Sequence, residues 1–147
     1  MTGTKIDATQ ERALRQAYGK VFDRDADALV AALAEIDAVG AAAAVRLAGL
    51  TMTAALSLTG AEKREAAARL AERVSEHAED WVALPAREDL EAVLTGTLGV
   101  GPAPTIDLAT YGLTLIYSAA LALRMYAEHE EVEWYQALDY LLNLLEK

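Results

Sequence analysis

The sequence predicts an all-α protein: one domain, residues 1–147, built as a single bundle of about six to seven helices around a central apolar helix. Three observations carry this. Apolar residues recur at three- and four-residue spacing along most of the chain, the period of a helix with one buried face. Alanine and leucine, strong helix formers, are abundant throughout. No run alternates β-branched and polar residues as a strand does. A chain of this length buries about 68–70 per cent of the surface its unfolded form exposes, enough for one real core.

Asp7 and Gln10 make a capping-box pattern ahead of Leu14, Ala17, Tyr18 and Val21, so a first helix is expected from Ala8 to Phe22. A second is expected from Asp25, with Leu29, Leu33 and Ile36 inward and Gly40 as its C-terminal cap. The stretch AAAAVRLAGLTMTAALSL reads as a third, whose small side chains let neighbouring backbones approach, so it should lie inside the bundle. Thr59 and Glu62 form another capping-box pattern that opens a long helix reaching Trp81. Pro85 suits the first position of a shorter helix ending near Gly96.

GTLGVGPAPT, with three glycines and two prolines, sustains neither helix nor ladder. Residues 95–105 are therefore expected to be a loop between a larger N-terminal part and a C-terminal helix pair. Asp107 to His129 is apolar almost all round, which marks a central element or an oligomer contact. EVEWYQALDYLLNLLEK closes the chain with Trp134, Leu138, Leu141 and Leu145 along one side.

Composition narrows the function classes. With no cysteine there is neither disulfide nor thiolate chemistry. The N-terminus MTGTKIDATQERALRQ carries charges throughout and no apolar segment of a signal peptide, so a cytoplasmic location is expected. Ala38 to Thr59, charged only at Arg46, and the uncharged Leu108 to Leu123 approach membrane character. The first is mostly alanine and the second is shorter than the ~20 residues of a span, so buried bundle helices are expected instead.

The net charge of −10 is unevenly placed: residues 1–73 hold ten acids and ten bases, whereas residues 74–147 hold thirteen acids and only Arg87, Arg124 and Lys147 as bases. That balance argues against nucleic acid, which needs cationic groups to displace phosphate counterions, and suits a basic protein partner.

SEHAEDW and AEHEEVEW contain every histidine and tryptophan of the chain. LAERVSEHAEDW can be laid over LALRMYAEHEEVEW if two residues are inserted, but the agreement stops there, short of a true repeat. Leu70, Val74, His77 and Trp81 share one helix face, and Leu121, Met125, His129 and Val132 another, so each histidine is expected to end an apolar stripe near a helix C-terminus, where its cationic form suits the helix dipole.

The metal motifs fail at specific positions. Glu-x-x-His of di-iron bundles is absent, since Val74 and Tyr126 stand three residues before the histidines. HEEVE has Glu133 where a zinc protease needs its second histidine, leaving His77, His129 and Glu133 as weak candidates for a site joined across two helices. DRDAD opens like a calcium loop but has Ala28 and Ala34 at the required glycine and glutamate, so Asp25 is expected simply to cap a helix. Neither a phosphate-cradling loop nor a serine elbow is present, and no cofactor is expected.

Two further groupings stand out. Asp107, Tyr111, Thr114 and Ser118 form a polar line on the apolar sixth helix; Arg46, if buried, must pair with Glu35, Asp37 or Asp107, and together these would make a small polar pocket. Glu76, Glu79, Asp80, Glu88, Asp89 and Glu91 form one acidic cluster, and Glu128, Glu130, Glu131 and Glu133 another. If their helices end on one side, these make one negative surface edged by Trp81, Trp134 and Tyr135, rings for affinity and charges for steering.

The expected function is therefore a non-enzymatic interaction protein, such as an acidic inhibitor or immunity-type protein, binding a basic partner through these residues. The alternatives are a subunit that self-associates through its sixth or seventh helix, and a helical ligand- or metal-binding protein using His77 and His129.

Overall fold

The computed structural model describes residues 7–79, 81–102 and 105–146. Asp80, from the first acidic cluster, and residues 103–104 of the expected loop lie outside them. Among the described residues there are six helices and no strand: α1 (Ala8–Asp23), α2 (Ala26–Leu58), α3 (Lys63–Ala78), α4 (Arg87–Thr97), α5 (Leu108–Glu130) and α6 (Trp134–Glu146).

Two caps stand where the sequence places them. The Asp7 carboxylate accepts from the N–H groups of Thr9 and Gln10 at 2.8 and 3.2 Å, and Asp25 accepts from Ala28 at 3.1 Å. The box is completed differently. Rather than turning back to Asp7, the Gln10 amide donates to the Val39 carbonyl at 3.2 Å and so ties α1 to α2.

The second and third expected helices meet directly: α2 is two helical segments joined at Gly40. Gly40 lies at φ 115°, ψ 86°, outside the helical region, so the first segment ends where the sequence places its cap. That backbone is open to glycine and strained for other residues, and Gln10 supplies a donor to the carbonyl just before the break. The break expected at Gly40 is therefore present, and with its two segments counted as one element the described residues hold six helices, within the six to seven expected.

The boundaries of α3 also move. Glu62, not Thr59, caps it by accepting from Glu65 N–H at 3.0 Å, while the Thr59 hydroxyl donates back to Leu56 at the end of α2. The helix stops at Ala78, where Glu79 turns to φ 31°, rather than at Trp81. Pro85 precedes α4 without being part of it.

One buried cluster runs through all six helices, and α5 touches each of the other five. Residues Thr114 to Leu123 of α5 are buried without interruption, so its apolar circumference is used within the chain. Glycines bring it close to α2: a side chain at Gly49 would touch Leu115, and one at Gly112 would touch Val45. Leu14, Ala17, Tyr18 and Val21 are buried as their spacing predicts, and burying a leucine of this kind contributes about 1.5–3 kcal/mol.

By length and composition α2 and α5 could each cross a membrane. α5 spends that apolar character on the core, whereas α2 keeps Val30 66% exposed and bears Glu35 and Asp37 on its outer side.

Candidate functional site

The expected pocket does not assemble. Arg46 is exposed rather than buried, and neither Glu35, Asp37 nor Asp107 pairs with it among the described residues. Asp107 is the exposed cap of α5, accepting from the Thr110 N–H at 2.9 Å and from its hydroxyl at 2.7 Å. Those bonds hold its carboxyl below the usual carboxylate range. Arg46 and Tyr111 do line a shallow groove with Gly49 and Thr97. Thr114 and Ser118 lie apart from it, buried, with no hydrogen-bond partner for either hydroxyl among the described residues.

His77 and His129 do not converge. His77 is half-buried, its Nδ1 against the Tyr117 hydroxyl. Its backbone carbonyl accepts from the Trp81 indole N–H at 2.8 Å, and the Trp81 ring packs on Tyr117 with centroids 5.7 Å apart. His129 is exposed beside Glu130 at 3.1 Å, some 18 Å further along α5 than Tyr117 at 1.5 Å per residue. Among the described residues no three His, Asp or Glu side chains gather as metal ligands would.

The two acidic clusters meet at one edge, where Glu76 and Glu128 line the same groove between α3 and α5. His77 and Trp81 sit at the level of Tyr117, whereas Glu130 lies roughly 20 Å away along α5. Arginines from the first half of the chain reach into the acidic half: Arg73 contacts Glu128 at 3.4 Å, and Arg15 contacts Asp139 at 2.7 Å as well as its neighbour Glu11. Glu130, Glu131 and Glu133 have no Lys or Arg partner among the described residues.

Neither tryptophan is a free anchor. Trp81 is half-buried on His77 and Tyr117, and Trp134 packs on Phe22 with centroids 5.2 Å apart and against Gly19. The exposed rings are Tyr135 at 47% and Tyr140 at 51%. Tyr140 stacks on Tyr126 at 6.5 Å and 21°, and these two with Val132, Gln136 and Ala137 line a groove of about 250 Å³ with Glu130 at its rim. Tyr126 and Tyr140 were legible as aromatics but come together only through the α5–α6 turn, which residue spacing within one helix does not reveal.

That turn is built against the grain of its electrostatics. Glu128 and Glu130 occupy the last turn of α5 and Glu131 its cap, where the helix dipole is negative and disfavours carboxylates. Glu131 also sits in the left-handed region at φ 58°, a place glycine fills at lower cost. Its N–H and that of Val132 nonetheless close the helix on Glu128 and Ala127 at 3.2 and 3.0 Å. Glu133 leads into α6, its N–H donating to the Gln136 side chain at 3.0 Å.

No family model, no curated protein and no solved structure matches this chain.

Proposed function

We propose that the chain is a cytoplasmic, non-enzymatic interaction protein whose α5–α6 corner receives a basic segment of a protein partner, as an inhibitor or immunity protein does with a cationic enzyme. One observation carries the reading: Glu130 and Glu131, without a Lys or Arg partner among the described residues, stand at the negative end of a helix dipole, the second in a glycine-like conformation, beside a groove where the exposed Tyr140 stacks on the buried Tyr126. Folding alone disfavours each of those choices. Tyrosine faces and carboxylates together suit lysine and arginine, through cation–π contact and charge.

Affinity capture with the whole chain tests it. The wild type and a Glu35→Lys/Asp37→Lys control, which changes charge equally on α2, should retain the same basic protein; Glu130→Lys/Glu131→Lys should lose it. Retention by that last variant, or equal loss in the control, refutes the reading.

Self-association is favoured by a different observation, the exposed Val30 on an otherwise small and apolar stretch of α2. It would use α2 rather than the middle of α5, where Thr114 to Leu123 are buried without interruption. Light scattering that gives a monomer at every concentration removes it.

A further inference from the structure

In a chain of net charge −10, His77 stands beside a groove whose two arginines match its two glutamates. Although Glu76 is its neighbour in sequence, burial and then Arg24 and Arg124 hold its imidazole below the ordinary range. Beside it α3 and α5 bound a groove of about 320 Å³ lined by Arg73, Glu76, His77, Leu121, Arg124 and Glu128.

The donors in this groove are under-used. Arg73 makes one long contact of 3.4 Å, to Glu128. Arg124 has no carboxylate partner among the described residues and lies 5.6 Å from the Phe22 ring centroid. Burial pushes the Tyr117 phenol up to about 12, so it keeps its proton. It finds no acceptor other than His77 Nδ1 among the described residues. Tyr117 therefore donates to Nδ1, and the neutral imidazole carries its hydrogen on Nε2, free to donate.

We infer that this groove binds a small anion bearing a carboxylate or phosphate group, held between Arg124 and Arg73 with His77 Nε2–H as a third donor. The two guanidinium groups come from different helices and offer forked donors that match such oxygens. Leu121 supplies an apolar wall. Glu76 and Glu128 limit the site to one anionic group, and Glu128 releases Arg73 as the ligand enters. The site is independent of the partner corner, because Glu130, Glu131 and the tyrosine pair take no part in it.

Imidazole NMR of the intact chain tests the site, with inorganic phosphate, acetate and chloride added separately at matched ionic strength. Phosphate, acetate or both should shift the His77 signals saturably and raise its titration midpoint by about one unit, as an opposite charge at contact distance does. A response to phosphate alone assigns the phosphate class, and a response to acetate the carboxylate class. Arg124→Gln and Arg73→Gln, both at exposed positions, should each weaken binding about tenfold, a loss of ~1.4 kcal/mol. Chloride acting as well as either anion, no saturable shift, or unchanged binding in Arg124→Gln overturns the site.

Discussion

Single hydroxyls make opposite contributions to the core. Tyr18 is fully buried and its hydroxyl meets Thr51 Oγ1 at 2.9 Å, so Tyr18→Phe should cost about 1 kcal/mol. Ser118 is equally buried with no partner among the described residues, so Ser118→Ala should leave stability unchanged or raise it by up to ~1 kcal/mol. Urea unfolding separates the two; a clear loss in Ser118→Ala would show that its hydroxyl is bonded.

His77 gives a pH-dependent counterpart. Its folded value is depressed by burial and by Arg24 and Arg124, so the unfolded chain takes up the proton first. The resulting destabilisation is absent above the unfolded value of about 6.5, grows as pH falls through it, and levels off below the folded value. Acidification from about pH 7.5 to about pH 5.5 should lower the unfolding free energy of the wild type more than that of His77→Gln. Equal losses contradict this.

In the proposed reading, Glu131 joins stability to partner binding at one residue. Glu131→Gly relieves the left-handed backbone and should stabilise by roughly 0.5–1 kcal/mol in thermal unfolding, while weakening the partner complex. A variant that gains stability and binds as before removes the reason given for a glutamate there.

At the scale of elements, the bend of α2 depends on Gly40. Gly40→Ala must adopt φ 115° and bring its Cβ to 3.0 Å from the Gln10 amide, so a loss of more than about 1 kcal/mol is expected from urea unfolding. An unchanged midpoint would mean that the chain straightens there at no cost. Helix existence was largely legible, because periodic stripes such as Leu14 to Val21 report directly on burial. Ends were less so. The sequence shows which residues are able to cap, but Thr59 and Glu62 compete for one helix start; the Glu62 carboxylate takes the Glu65 N–H while Thr59 turns back to Leu56. Gly40 marks the break in sequence and structure alike; the Gln10 bond to Val39 beside it joins residues distant in sequence and so was not legible.

For the whole molecule, charge was legible as a sum and illegible as a map. The excess in residues 74–147 follows from counting, yet counting does not show that its two clusters meet where Glu76 and Glu128 line one groove while Glu130 lies further along α5. Arg15 and Arg73 return from the first half to neutralise part of it. What persists is the α5–α6 corner, where the exposed Tyr140 stacks on the buried Tyr126 and the tryptophans take no part. The tryptophans misled because large rings near acidic runs serve equally well as half-buried lids, which is what Trp81 is over Tyr117.

The decisive measurement is the association rate of the captured partner with the wild type and with Glu130→Lys/Glu131→Lys, taken from low ionic strength to about 0.15 M, where the screening length is about 8 Å. Steering by the corner predicts a wild-type rate that falls about tenfold or more across that range, and a slower, nearly salt-independent rate for the variant. The same rates and the same salt slope for both proteins would contradict it.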